Sequence, residues 1–325
     1  MKTIVTIGSG NSGSGAIHDY LIDNTKYKSP FKGKEFRLLD DPDGILNLYY
    51  NFYVNCSINN PSNAIMRFKN YVQNLTSLKM KVNDKGIKIY NRRILSLTDE
   101  YIKNITTLDY NAFPQFMAVQ TNYLTKKYLN FKKKIFKIKN NPASFKMYLP
   151  AKKEIFFKQT KLFLSKLIKL QLNNMNTNHI VLDQTLNIWN FADIFLYFNN
   201  VKIILVTRDP RGIYYSMKSR QSAAYPGYNL KLWTKWYGHL MQNFNIYKKT
   251  IDKKYRKNIL EIKFEDFVNN FQRERKKILK FISAKEINYK FNINKSKFNA
   301  FKSAKKLSKF EKNYIKKELK MFLNW

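Results

Sequence analysis

The chain has 325 residues and a formal net charge of +38, with 44% hydrophobic and 16% aromatic residues. This length and apolar content are typical of a globular protein with a sizeable core, as one large domain or two small ones, and exclude a disordered chain. No run approaches the roughly 18 apolar residues of a transmembrane helix. A single cysteine, Cys56, excludes a disulfide framework within the chain, and with no recognisable signal peptide it predicts a cytoplasmic location.

The positive charge has two explanations. Lys, Asn, Ile, Tyr and Phe are abundant together, a composition that an AT-rich genome produces without selection on function. The excess charge would also attract a nucleotide, an acidic glycan, a membrane surface or nucleic acid, and charge alone does not choose among these partners. No nucleic-acid-binding motif accompanies it, so we expect no specific nucleic acid as a partner.

Apolar runs that end at turn residues predict the strands of a sheet. Residues 34–39 are predicted as the second strand, because a turn-forming cluster from Asp40 to Gly44 follows them. The other predicted strands are residues 3–7, 179–182, 201–207 and 259–262. Because helical stretches separate these runs, the sequence predicts an α/β fold with a mostly parallel central sheet and flanking helices.

The segment from residue 45 to residue 178 has a helical pattern and no recognisable repeat. Between Lys126 and Lys169 it contains 14 lysines and one acid, Glu154. This pattern fits a solvated lysine face over an ordinary core, and it also fits a basic surface for an acidic acceptor or a membrane. We expect one domain over residues 1–325, with its core in 1–44 and 179–325 and a helical insertion at about 45–178.

A loop rich in glycine and serine, residues 8–16, follows the first predicted strand and precedes a helix. Glycines allow the backbone to approach a ligand closely, and the N–H groups at the start of a helix bind anions. The predicted phosphate-binding residues here are Gly10, Asn11, Ser12, Gly13, Ser14, Gly15 and Ala16. The loop is not a Walker A motif, because Ser14 stands where that motif requires Lys.

The same loop also fits a dinucleotide-binding pattern. Gly8, Gly10 and Gly13 have the G-x-G-x-x-G spacing, and Asp40 follows the predicted second strand, where an acid could hold a ribose hydroxyl. The pattern is short, and its spacing to Asp40 is longer than usual. An NAD(P)-binding enzyme is therefore an alternative that the loop leaves open.

A second candidate anion site follows the strand predicted at residues 201–207. Arg208 comes directly after that strand, and Ser216 lies eight residues further on, in the next helix. A guanidinium and a hydroxyl in these places can bind one phosphate from two sides. Taken alone, Arg208 could equally pair with Asp209 or cap the helix.

Together the two motifs resemble the sulfotransferases that use 3′-phosphoadenosine 5′-phosphosulfate (PAPS). Residues 11–15 are similar to the family's 5′-phosphosulfate loop, and Arg208 with Ser216 is similar to its 3′-phosphate site. The stretches at 181–185 and 259–267 are similar to further family elements. The resemblance implies a P-loop NTPase-like sulfotransferase fold that moves a sulfo group from PAPS to a hydroxyl. The products would be the sulfated acceptor and 3′-phosphoadenosine 5′-phosphate (PAP), and no metal is implied.

The large helical insertion resembles the loops of bacterial carbohydrate enzymes of this family, which implies a glycan or similar acceptor on the side of the insertion. The chain departs from the family's loop at two positions, since Asn11 replaces the usual Lys or Arg and Gly15 replaces a threonine. Either another cation takes the role of the missing Lys or Arg, or the activity is weak, or the protein is a catalytically lapsed module that only binds PAP.

Three residues are candidates for the base that takes the acceptor's proton. In relatives that use a carboxylate, this carboxylate follows the second strand, which implies Asp41 first and Asp40 second. Turn formation with Pro42 explains the same two residues without catalysis. His18, at the start of the helix after the loop, is the third candidate.

Overall fold

The structure is a computed structural model that describes residues 1–82, 85–112, 114, 123–135, 145–173, 175, 177–220, 224–294 and 306–322. The chain divides into two units, Met1–Arg37 with Gln171–Trp325 and Leu38–Leu170. In chain order, the strands are β1 (Lys2–Gly8), β2 (Lys79–Val82), β3 (Lys85–Lys88), β4 (Thr106–Ala112), β5 (Phe145–Pro150), β6 (His179–Asp183), β7 (Val201–Thr207) and β8 (Ile259–Lys263). The helices are α1 (Ser14–Asn24), α2 (Ile45–Tyr49), α3 (Asn60–Ser77), α4 (Ile94–Ile105), α5 (Tyr123–Ile135), α6 (Lys153–Gln171), α7 (Ile194–Tyr197), α8 (Pro210–Ser219), α9 (Leu230–Thr250), α10 (Lys253–Arg256), α11 (Phe264–Asn269), α12 (Phe271–Ile282) and α13 (Lys309–Glu318).

The first unit is built on a four-stranded sheet in the order β6-β1-β7-β8, in which all neighbours are parallel. β1 is an interior strand, and its Thr3 lies between Ile180 of β6 and Val201 of β7. Strands β1 and β7 are buried along nearly their whole length, which is why their sequences are apolar runs without alternation. Helices α1, α11 and α12 bury their apolar faces against this sheet. The predicted mostly parallel sheet with flanking helices is confirmed.

The prediction of a strand at residues 34–39 is wrong. Phe36 in this segment donates its N–H to the carbonyl of Asp183 at 2.9 Å, just past the end of β6. The carbonyl of Leu38 accepts the N–H of Ile45 at 3.0 Å, at the start of α2. Phe36 and Leu38 are both buried, so the apolar residues before the turn cluster belong to an irregular packed segment and not to a strand.

The second unit is mostly helical, as expected, and also contains two antiparallel strand pairs, β2 with β3 and β4 with β5. Its aromatic core includes the ring of Tyr101 stacked on Phe163 of α6, with centroids 4.5 Å apart. Helix α6 buries Phe156 and Phe163 and exposes Lys158 and Lys166. Its lysines are therefore a solvated face over a core stripe.

Helix α9 in the first unit is a core helix, as its spacing of aromatic residues predicts. Trp233 and Tyr237 are buried, and their rings stack with centroids 5.0 Å apart. Leu240 and Phe244 continue the same buried face. Within the described residues, no helix has both the length and the apolar character needed to cross a membrane.

Candidate functional site

The functional candidates of the first unit lie at the carboxyl ends of its four parallel strands. The glycine-rich loop follows β1, Gln184 follows β6, Arg208 follows β7, and Phe264 and Glu265 follow β8. Since neighbouring parallel strands end at the same edge of a sheet, these segments meet there. Ligands of open α/β sheets bind at this edge.

Two glycines of the loop, Gly10 and Gly13, lie close to aromatic rings. Gly13 has a φ of 98°, in the left-handed region that favours glycine. A Cβ at Gly13 would lie 2.3 Å from the ring of Phe264, and one at Gly10 would lie 2.6 Å from the ring of Tyr225. A side chain at either position would require the loop or the facing ring to move.

Polar groups of the loop point to an anionic ligand. Helix α1 begins after Gly13 with no side-chain cap, so its first N–H groups are not used by a capping side chain. The hydroxyl of Ser12, a residue 1% exposed, has no hydrogen-bond partner among the described residues. Burying an unpaired polar group costs about 1–3 kcal/mol, a cost that a ligand oxygen would remove. Ser14 Oγ accepts a hydrogen bond from Gln184 Nε2 at 3.0 Å, which ties α1 to the end of β6.

Arg208 brings the two predicted motifs into contact. It is only 6% exposed, and its Nη1 donates to the carbonyl of Asn11 at 2.9 Å and to Ser216 Oγ at 3.2 Å. Its guanidinium also lies over the ring of Phe264, 5.1 Å from the centroid. Burial lowers the pKa of Arg208, and the negative charge of Glu265 opposes that shift.

The alternative role considered for Arg208, pairing with Asp209, is taken by another residue. Asp209 caps α8 by accepting the N–H of Arg211 at 2.8 Å, and it also accepts from Arg211 Nε at 2.9 Å. The backbone N–H of Asp209 donates to Glu265 Oε1 at 3.1 Å. These contacts hold the start of α8 beside the end of β8 and leave Arg208 turned toward the loop.

Sequence reasoning gave no site role to two side chains at this edge. Arg220, at the end of α8, donates from Nη1 to Asn11 Oδ1 at 3.2 Å. Asp183, the last residue of β6, accepts from Thr6 Oγ1 at 2.8 Å, and burial raises its pKa, while the nearby His18 opposes that rise. Two signals could have found them. Arg220 is four residues after Ser216 and so shares its helix face, and Asp183 directly follows the strand predicted at residues 179–182.

The three base candidates fall in different units. His18, in the first, is 1% exposed, and within the described residues its Nε2 has no hydrogen-bond partner. Asp40 and Asp41, in the second, belong to a turn before α2, where the carbonyl of Asp41 accepts the N–H of Gly44 at 2.8 Å. Asp41 Oδ2 also accepts from Tyr71 Oη at 2.7 Å. The prediction that both aspartates end a strand is wrong, so no strand end brings them to the sheet edge.

The described residues contain no group of three or more His, Cys, Asp or Glu side chains arranged to hold a metal ion.

The family model described as "Sulfotransferase family" matches residues 92–286, which is more than half of the chain. No curated protein matches this chain. Among solved structures, the sulfotransferase STF1 of Mycobacterium tuberculosis H37Rv is similar, with 11% identity and a TM-score of 0.36 over 97% of this chain and 76% of that one.

Proposed function

This chain belongs to the sulfotransferase family, and we propose that it transfers a sulfo group from PAPS to a hydroxyl of a glycan or a similar acceptor. One observation carries the choice of donor. Arg208 hydrogen-bonds both Asn11 of the loop and Ser216 of α8, which supports a single site made of the two motifs that we propose bind anions. PAPS carries a phosphate on its 3′ oxygen and a phosphosulfate on its 5′ oxygen. A protein that binds both groups needs two such motifs side by side.

The residues at the sheet edge fit this donor. The N–H groups at the start of α1 and the unpaired Ser12 hydroxyl would hold the 5′-phosphosulfate, while Arg208 and Ser216 would hold the 3′-phosphate. PAPS, when bound, supplies the electrophilic sulfur and the phosphate that leaves with the bond electrons. The chain's own groups position the donor and offset the charge of that phosphate.

The acceptor side of the proposal rests on the second unit. We propose that its helical segment binds the acceptor and that Asp41 takes the hydroxyl proton as the new sulfur–oxygen bond forms, with Asp40 and His18 as the alternatives. Tyr71 Oη, which donates to Asp41 Oδ2 at 2.7 Å, would orient that carboxylate. The transferred proton ends on the carboxylate, and the electrons of the broken bond leave with PAP.

Two other functions remain as alternatives. An NAD(P)-binding enzyme is less well supported, because the strand that would bring Asp40 beside the loop does not form. A lapsed module that only binds PAP is compatible with the neutral Asn11, and it differs from an enzyme only in turnover.

A thermal-shift screen with PAP, adenosine 5′-phosphosulfate, NAD, NADP and ATP tests the choice of nucleotide. A ligand at 100 times its dissociation constant stabilises the folded state by about 2.7 kcal/mol, so PAP should raise the melting temperature by several degrees. Adenosine 5′-phosphosulfate lacks the 3′-phosphate and should stabilise far less. Equal shifts from these two would contradict the 3′-phosphate site, and a preference for NAD would favour the dinucleotide enzyme. Turnover of radiolabelled PAPS with a hydroxyl acceptor then separates an enzyme from a lapsed module.

We also propose that the basic segment of the second unit associates with anionic membrane surfaces. On α5, Leu124, Tyr128 and Phe131 are spaced along one side of the helix and are 75%, 58% and 63% exposed. Lys126 and Lys127 beside them supply the complementary charge. We expect the protein to sediment with anionic vesicles and not with neutral ones, and we expect high salt to abolish this binding.

The cytoplasmic location stays a prediction based on the single cysteine.

A further inference from the structure

Two guanidinium groups converge on one neutral residue of the loop. Arg208 Nη1 lies 2.9 Å from the carbonyl oxygen of Asn11, and Arg220 Nη1 lies 3.2 Å from its side-chain Oδ1. Asn11 has a φ of 63°, in the left-handed region that Asn tolerates better than most residues. Both arginines therefore contact a single residue.

These two cations repel each other. Burial lowers the pKa of Arg208, the negative charge of Glu265 opposes that shift, and the positive charge of Arg220 adds to it. The loop itself supplies no negative charge, because residues 8–16 contain no charged side chain. A bound phosphate beside Asn11 would turn this repulsion into two attractive contacts.

We propose that Arg220 supplies the positive charge of the phosphate-binding loop and acts on the 5′-phosphate of the nucleotide. The inference rests on the proposed function and deepens it, because it identifies the cation that offsets the charge of the leaving phosphate. Arg208 is shared with Ser216 on the 3′-phosphate side, whereas Arg220 reaches the loop through the Asn11 side chain. Asn11 is then a positioning residue that holds Arg220 in place.

The other cations of α8 cannot take this role, because carboxylates already hold them. Arg211 is paired with Asp209, and Lys218 Nζ lies 2.6 Å from Glu311 Oε1. Arg220 instead contacts a neutral amide, so no carboxylate contact in the described residues offsets its charge at the loop. It is exposed at the end of the helix, where a nucleotide phosphate can reach it.

The test compares the affinities of adenosine 5′-monophosphate, adenosine 3′-monophosphate and PAP for the wild type and Arg220→Ala, measured by calorimetry. Losing one charge-assisted hydrogen bond at an exposed position should weaken the 5′-monophosphate and PAP roughly tenfold. The 3′-monophosphate should change by less than about twofold. Lys218→Ala is the matched control, since it removes a cation from the same helix, and it should change none of the three affinities.

Charge rescue makes the test specific. Arg220→Lys should retain most of the affinity for the 5′-monophosphate. Asn11→Lys should restore the affinity for the 5′-monophosphate when it is combined with Arg220→Ala. The same substitution in the wild type should increase this affinity by less, because the new ammonium would face Arg220. Melting temperatures near that of the wild type show that each variant is folded.

Three results would overturn the inference. Unchanged 5′-monophosphate binding in folded Arg220→Ala would remove Arg220 from the site. An equal loss for the 3′-monophosphate would assign Arg220 to the other phosphate. In both cases binding of PAP by the wild type would leave the proposed function standing. A wild type that binds none of the three nucleotides would instead overturn both the proposed function and the role of Arg220.

Discussion

Replacing Gly13 with alanine should destabilise the first unit, whereas the same change at Gly15, two residues away, should not. At Gly13 the φ of 98° would force alanine into the left-handed region, at a cost of about 1–2 kcal/mol. The new Cβ would also lie 2.3 Å from the buried ring of Phe264, and overpacking of this kind costs about 1–3 kcal/mol. The sum is roughly 2–5 kcal/mol, a large part of the 5–15 kcal/mol typical of a folded protein.

Gly15 is the matched control because its surroundings are open. A Cβ there would lie 3.9 Å from Asp183 Oδ2, which is ordinary van der Waals contact. Gly15 lies in the first turn of α1, where alanine is favoured over glycine by up to about 1 kcal/mol. We therefore expect Gly15→Ala to be neutral or slightly stabilising.

Scanning calorimetry of the ligand-free variants measures both effects. For a unit of this size each kcal/mol shifts the melting temperature by about 2–4 °C, so Gly13→Ala should melt at least about 4 °C below the wild type. Calorimetric titration with PAP then shows whether the loop still binds the nucleotide. If the two alanine variants melted together, the contact between Gly13 and Phe264 described above would be wrong.

Three further predictions concern charged groups. Arg208→Ala should weaken PAP by about 1.5–3 kcal/mol in calorimetric titration, and unchanged affinity would contradict its role. Asp41→Asn should lower turnover by about 10²–10⁴ with PAP affinity nearly unchanged, while Asp40→Asn should mainly lower the melting temperature. If both variants turn over normally and His18→Ala is inactive, the base is His18. Burial raises the pKa of Asp183, so the wild type loses stability as pH rises through that pKa, and Asn does not titrate. The melting temperature of Asp183→Asn relative to the wild type should therefore rise as the pH increases above the ordinary pKa of an aspartate, and a constant difference would contradict this expectation.

Strands buried on both faces could be predicted from the sequence, and the irregular segment after α1 could not. The sequences of β1 and β7 are nearly continuous apolar runs, a pattern typical of strands that are buried on both faces of a parallel sheet. Residues 34–39 also bury Phe36 and Leu38 and also end at turn residues, although charged side chains interrupt this segment. What differs is the partner of the backbone: Phe36 donates to Asp183 in a single contact rather than in a ladder. Side-chain periodicity does not contain that information.

The candidate site shows the same limit at the level of single residues. The loop and the pair of Arg208 with Ser216 are local patterns, so sequence spacing was sufficient to predict them as candidates. Arg220 and Asn11 are 209 residues apart in the sequence. They come into contact because β1 and β7, the strands that precede them, are neighbours in the sheet. The interpretation of Asp40 and Asp41 as residues at the sheet edge depended on a strand that does not form.

The position of β1 inside its sheet has a consequence for how the chain folds. β1 precedes the second unit in the chain, yet both of its neighbours, β6 and β7, come more than 170 residues after it. The strand pairs of the second unit join segments much closer in the chain, and local pairing is fast. We therefore expect the second unit to fold first during synthesis. Until β6 and β7 have been synthesised, β1 has no partner strand, and its exposed apolar side chains would be bound by chaperones.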